Sequence, residues 1–188
     1  MQEAKRTNRD RTEQTRGALL QAARALFVEK GYAETSTPEI VAAAGITRGA
    51  LYHHFADKRA LFRAVVIEEA QAVAADIERT AAVATSPLDA LLVGSDAYID
   101  AMQAPGRTLL LLIDGPAVLG HREMQHLDGD HAARTLAQGL AAVSGKQDQA
   151  LADLLSAAFD RAALAIESGE PAEVYRAAIK MLVTSAVR

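Results

Sequence analysis

Between Thr47 and His53 the sequence gathers a hydroxyl (Thr47), a guanidinium (Arg48), a residue without a side chain (Gly49), a phenol (Tyr52) and an imidazole (His53). These types suit the surface of a nucleic-acid duplex. The planar fork of Arg bridges guanine O6 and N7, Thr and Tyr hydroxyls reach phosphate oxygens, and Gly lets the backbone come close. To act together they need one helix, and the flanking residues provide it. Thr47 can serve as N-cap, with Ile46 before the cap and Leu51 at the fourth helical position forming a hydrophobic staple. Upstream, Ser36-Thr37-Pro38-Glu39 has the Ser-x-x-Glu spacing of a capping box, with Pro in the first turn, where its missing N–H costs no hydrogen bond. The helix it opens is short, because Gly45 follows six residues after Glu39. Ile40, Val41, Ala44, Ile46, Leu51 and Phe55 are the apolar positions able to hold the two helices together. This is the pattern of a helix-turn-helix, whose second helix enters the major groove. Lys58, opening the next helix, is expected to hold a phosphate together with backbone N–H groups. Tyr52 can be a phosphate contact or a core residue, and His54 is read as structural.

The rest of the chain also reads as helix. Its 188 residues include 41 Ala and 21 Leu against 20 Val plus Ile, with 4% aromatics, which favours helix over strand throughout. The fold class is therefore all-α, with about nine helices. A first helix spans Glu13 to Lys30, with Ala18, Leu19, Ala22, Ala23, Leu26 and Phe27 at helical spacing, and ends at Gly31. Lys5, Arg6, Arg9, Arg11 and Arg16 precede or open it, on a basic tail over 1–12 expected to be mobile. Further helices are expected from Asp57 to about Thr80, from Pro87 to about Ala104, over Ala132 to Val143, over Gln147 to Glu167 and over Pro171 to Val187. The apolar stretch Thr108 to Leu119 contains Gly115-Pro116, and a polar stretch covers His121 to His131.

Charge is unevenly placed along the chain. The net charge is −4, but residues 1–63 carry +4 and the remaining residues −8. A basic head on an acidic body points to a nucleic-acid-binding end. Several chemistries are excluded. No cysteine means no disulfide, thiolate metal site, iron–sulfur cluster or cysteine nucleophile. Met1 to Arg16 has no apolar h-region of a secretory signal, and Leu109 to Ile113 is too short for a bilayer, so the expected location is the cytoplasm. His121, His126, Asp128, Asp130 and His131 match no metal-ligand spacing and read as a solvated face. Gly139 to Lys146 has the wrong glycine spacing for a phosphate loop. With no nucleophile–base pattern either, the chain is expected to be neither an enzyme nor the holder of a cofactor or metal.

The run Thr35-Ser36-Thr37-Pro38-Glu39-Ile40-Val41-Ala42-Ala43-Ala44-Gly45-Ile46-Thr47-Arg48-Gly49-Ala50-Leu51-Tyr52-His53-His54-Phe55, with Asp57-Lys58, Leu61-Phe62 and the earlier Phe27 and Gly31-Tyr32, resembles the DNA-binding domain of the TetR (tetracycline-repressor-like) family. The likeness covers about residues 13–65, and Pro38 is its one notable departure. It implies a homodimer on a palindromic operator, a helix-turn-helix domain over 13–60, and an effector-binding and dimerisation domain over 61–188. By this resemblance Ser36, Thr37, Thr47, Arg48, Gly49, Tyr52, His53 and Lys58 fall at DNA-contact positions. It also makes the middle helices an effector cavity, with Met102, Leu110, Asp114, His121 and Phe159 as candidate wall residues. The last two helices are apolar on more than one face, which requires a second partner. By resemblance that partner is the same pair of helices in another subunit, joined through Leu155, Ala158, Ala162, Ala165, Val174, Ala178 and Met181. The expected function is a repressor released by a small molecule. A regulator of the same fold that ignores ligands or activates, and a helical binding or enzymatic bundle with an incidental helix-turn-helix, are the alternatives. Few aromatics and no Trp favour an aliphatic effector, or none, over a flat one.

Overall fold

In the computed structural model, residues 8–187 are described, with side chains from residue 10 onward. They form ten α-helices and one π-helical segment, with no strand among them. The helices are α1 (Asn8–Glu34), α2 (Thr37–Ala44), α3 (Arg48–His54), α4 (Lys58–Ala81), α5 (Pro87–Met102), α6 (Gly115–Leu119), α7 (His121–Asp130), α8 (Ala132–Ser144), α9 (Gln149–Glu167) and α10 (Ala172–Ala186); the π-helical segment is Leu109–Asp114. The chain divides into two compact units, 1–66 and 67–188.

The first unit is built around an aromatic cluster. Phe27 from α1 and Phe62 from α4 are fully buried and meet edge to face at 5.1 Å between ring centroids, and Tyr32 packs on both at 5.7 and 5.0 Å. Leu19, Leu20, Ala23, Ile40, Leu51, Leu61, Val65 and Val66 complete this core. Because Leu61, Phe62, Val65 and Val66 belong to it, the unit ends at Val66, beyond the expected limit of 60. The other end is corrected too. Helix α1 already runs from Asn8, so residues 8–12 are helical rather than a mobile tail; the expectation for Lys5, Arg6 and the Arg9 side chain lies outside the described residues. The break foreseen at Gly31 is present: its φ of 78° interrupts the helix where only glycine enters without strain.

In the second unit α5 is central, with Leu91, Tyr98, Ile99 and Met102 buried and α8, α9 and α10 packed on it. Leu109–Asp114 is wound wider than an α-helix. The N–H of Gly115 donates to Leu110 O, five residues back, and Pro116, with no N–H, cannot extend an ordinary helical ladder through this point. The polar stretch His121–Asp130 is a helix, α7, not a loop. One ion pair is buried here: Arg107 Nε donates to Glu69 Oε2 at 2.7 Å while its Nη1 donates to the Ala101 carbonyl at 2.7 Å. Satisfying both groups this way offsets the cost of removing two charges from water.

Candidate nucleic-acid interface and internal cavities

The helix-turn-helix is fixed by its caps. Ser36 Oγ accepts from Glu39 N, and Ser36 N donates to Glu39 Oε2 at 2.9 Å, so both halves of the capping box are made. Lys30 of α1 donates to the other Glu39 oxygen at 2.8 Å. The bonds from Lys30 and then Ser36 hold the Glu39 carboxyl down at about 2. Gly45 closes α2 in the left-handed conformation at φ 66°, with its N–H on the Ala42 carbonyl. Thr47 Oγ1 then accepts from Ala50 N at 3.2 Å and opens α3. Each such cap contributes about 1 kcal/mol and, more to the point, fixes where the helix starts.

Burial separates the two sides of α3. Leu51 is fully buried and Phe55 nearly so, while Thr47, Arg48, Gly49, Tyr52 and His53 are exposed. Tyr52, at 43% exposure, is a surface residue, which removes its core reading. The Arg48 guanidinium lies 5.5 Å from its ring centroid. Hydrogen bonds from Arg48 and then Thr37 hold the Tyr52 hydroxyl below its ordinary titration range. Thr37, Arg48 and Tyr52 thus form one outward-facing donor array across α2 and α3. An arginine resting on an aromatic ring reaches a base edge with fewer conformations to lose. His54 is half-buried, and its pKa is lowered by burial first, then by His53 and Arg16.

Two expected contacts are placed otherwise. The Lys58 ammonium donates to the carbonyls of Tyr32 and Thr35, both at 2.8 Å, with Ala33 O at 3.5 Å, and lies 4.2 Å from the centre of the Tyr32 ring. Three donors facing three carbonyls leave none for a phosphate. Lys58 therefore caps the end of α1. The Ser36 hydroxyl is likewise engaged, donating to Glu39 Oε2 at 2.7 Å as well as accepting from its N–H.

The second unit contains two cavities of about 290 Å³ each, both partly open to solvent. The first is lined by Ile77, Leu91, Gly94, Tyr98, Leu136 and Phe159, among others. The second is lined by Val73, Met102, Leu111, His121, Met124 and Leu164, among others. Tyr98 and Ala132 border both. Of the expected wall residues, Phe159 lines the first cavity, and Met102 and His121 the second. Leu110 and Asp114 line neither: Leu110 is fully buried, and Asp114 sits in the π-helical segment, where its Oδ2 is buried without a hydrogen-bond partner. The pattern of apolar residues missed Tyr98, whose hydroxyl donates to Asp160 Oδ1 at 2.7 Å, and Ser156, whose hydroxyl donates to Asp128 Oδ2 at 3.1 Å. Among the described residues no three of His, Asp and Glu converge as a metal site; on α7 His121 and Asp128 share one face, and His126 and Asp130 lie on other sides of the helix.

The expected dimer contacts divide by burial. Leu155, Ala162 and Ala165 lie on the inward side of α9, at 6%, 2% and 2% exposure, and Ala158 is half-buried. Packing within the subunit uses the first three, so they are core rather than interface. Val174, Ala178 and Met181 are exposed on α10. Leu154 and Leu182, apolar positions outside the expected interface set, are exposed as well, with Leu154 at 72%.

Known proteins bear on these features. A family model described as bacterial regulatory proteins, tetR family, matches residues 19–65, and one described as tetracyclin repressor-like, C-terminal domain, matches residues 88–185. A TetR-family transcriptional regulator from Pectobacterium atrosepticum is similar at 30% identity with a TM-score of 0.72, covering 97% of this chain and 96% of that one. One from Streptomyces coelicolor shares the fold at 21% identity, with a TM-score of 0.74 over 94% and 95% of the two chains. The transcriptional repressor BepR of Brucella suis is 43% identical over 53 residues, 28% of this chain and 25% of that protein. The transposon Tn10 TetC protein of Escherichia coli is 30% identical over 125 residues, 66% of this chain and 63% of that one. The chain therefore spans from a quarter to somewhat under two thirds of the length of these curated relatives.

Proposed function

The chain belongs to the TetR family of bacterial regulatory proteins, and from that premise we propose that it is a cytoplasmic transcriptional repressor rather than an enzyme, binding a palindromic operator as a homodimer and leaving it when a small molecule occupies the second unit. The observation that carries this reading is the exposed set of Thr47, Arg48, Gly49, Tyr52 and His53, with the half-buried Thr37 beside it, on two capped helices. Arg48 reads a base edge, Thr47 and Tyr52 hold phosphates, and Gly49 permits close approach. Lys58 and Ser36 act by fixing the helices that carry these groups. No helix among the described residues is long and apolar enough to cross a membrane.

Dimerisation uses the exposed apolar stripe of Leu154, Val174, Ala178, Met181 and Leu182. A patch of this kind on a soluble chain calls for a partner. Two copies joined through it present two α3 helices, which must lie about 34 Å apart to enter successive major grooves. The effector acts by favouring subunit arrangements that break this spacing.

The test is a gel shift with the DNA upstream of the chain's own gene against a scrambled duplex of equal length. A retarded species with dimer stoichiometry, formed on the upstream DNA at protein concentrations where the scrambled duplex stays free, supports the reading. Equal affinity for the two duplexes overturns it.

A further inference from the structure

Both cavities are lined mainly by apolar groups, and neither is lined by a lysine or arginine. The first has no Asp, Glu or His in its wall. In the second the ionisable groups besides Tyr98 are His121 and two carboxylates, Asp128 and Asp160. Those carboxylates also open onto a polar recess of about 1080 Å³ bounded by α7, α8 and α9, whose wall includes Gln125, Arg134, Gln149 and Asp153. Ser156 lines both this recess and the first cavity, and Tyr98 borders both cavities. Tyr98, Asp128, Ser156 and Asp160 therefore form the polar junction where the recess meets the two apolar cavities.

We propose that the ligand of this body is a small hydrophobic amine, its ammonium held by Asp160 with Asp128 beside it and its hydrocarbon body in an adjoining cavity. This rests on the reading of the second unit as an effector domain and names the chemical class of effector. Charge decides between classes. A carboxylate or phosphate placed between them would meet two carboxylates, and the one cation in the recess wall, Arg134, already faces Glu78 at 4.0 Å; an ammonium gains charge-assisted hydrogen bonds and relieves the repulsion between Asp128 and Asp160. Tyr98 already donates to Asp160 Oδ1 and Ser156 to Asp128 Oδ2, so the carboxylates are oriented before any ligand arrives. Size sets the second limit. A cavity of about 290 Å³ is at the lower end of ligand sites, which fits a short aliphatic or single-ring amine.

Acidity supports the same reading. Burial raises the Asp160 carboxyl to about 6, opposed by the Tyr98 hydrogen bond and reinforced by Asp128. Burial likewise raises Asp128, against the bond from Ser156; His131 lowers it and Asp153 raises it. An approaching ammonium favours the ionised forms, so amine affinity should fall as the pH drops through about 6.

The experiment titrates the full chain calorimetrically with n-hexylamine, n-hexanol and n-hexanoate at pH 8, and with hexylamine again at pH 5. Hexylamine should bind at least about tenfold more tightly than either of the others and lose this advantage at pH 5. Asp160→Asn should bring hexylamine to the level of hexanol while leaving hexanol unchanged. Asp128→Asn, which keeps the Tyr98–Asp160 bond, should reduce the preference and serves if the first variant does not fold. Hexanoate binding as well as hexylamine, a preference that survives both substitutions, or no binding by any of the three overturns the proposal. The operator gel shift separates it from the regulatory reading. Hexanol that releases operator DNA without any amine preference overturns this inference alone; tight hexylamine binding that leaves the operator complex intact supports it and counts against effector control.

Discussion

Replacing Lys58 with methionine separates a phosphate contact from an internal cap. The methionine keeps much of the aliphatic stem and removes the ammonium. Two hydrogen bonds of 2.8 Å to the carbonyls of Tyr32 and Thr35 are lost, with a longer one to Ala33 and the cation–π contact with Tyr32. Hydrogen bonds to a charged donor contribute about 1.5–3 kcal/mol each, and a cation–π contact at a partly exposed site about 0.5–1 kcal/mol. Lys58 is half-buried and all these contacts share one side chain, so water recovers part of the sum. The expected loss is about 2–4 kcal/mol in the first unit. Urea denaturation of the full chain followed by circular dichroism measures it.

DNA binding should respond differently from stability. A lysine that neutralises a phosphate contributes about 0.9 to the slope of log K against log salt, or roughly 2 for a dimer. Lys58→Met should leave that slope unchanged under conditions where the variant is folded. A variant as stable as the parent, with a slope lower by about 2, would refute the capping argument and return Lys58 to the DNA backbone.

Arg48→Ala should weaken operator binding by about 1–3 kcal/mol per half-site and relax preference at one base position, read by competition among single-base operator variants. Met181→Glu should give a folded monomer by light scattering, whereas Ala162→Glu, at a site 2% exposed, should lower the melting temperature because it buries an unpaired charge in the subunit core. Asp160 titrates near 6 in the fold and near 3.8 when free, so its ionised form opposes folding: the cost is absent below about pH 4, grows up to about pH 6 and is full above it. At about 1.4 kcal/mol per tenfold this amounts to about 3 kcal/mol at most, so Asp160→Asn should stabilise the protein at pH 8 and have no such effect at pH 4, in paired urea titrations.

The helix-turn-helix was legible because its signals are local. A capping box needs two residues three apart, a left-handed stop needs one glycine, and an N-cap needs one hydroxyl before the helix; all three were present in the sequence and all three are made. The end of the first unit was less legible, since Leu61 to Val66 read equally well as the start of a long helix. What assigns them to the first core is the packing of Phe62 on Phe27 and Tyr32, 35 and 30 residues away in sequence. The wider turn at Leu109–Asp114 was likewise hidden, because Gly115-Pro116 signals a break without saying how the preceding carbonyls are satisfied.

The site residues divide by a different rule. Sequence gives the chemical type of a side chain but not whether its donors are already in use. Lys58 has the type and position of a phosphate ligand, yet three carbonyls at the end of α1 occupy it; Arg48 has the same charge, and its guanidinium lies exposed beside the Tyr52 ring. On α9, Leu154 and Leu155 are adjacent and identical in type, but the 100° helical step places one at 72% exposure and the other in the core. The interface expectation chose Leu155 because both faces of the helix are apolar and only the positions of its neighbours break the tie. Asp160 was passed over for the opposite reason: an acid in a helix that also carries Asp153 and Glu167 reads as a surface residue, and it is the Tyr98 hydroxyl, 62 positions earlier, that shows it facing inward. Such long-range pairing of polar groups is hidden from the sequence, because an apolar wall can be rebuilt from many sequences while a buried carboxylate must have its partner supplied by another helix.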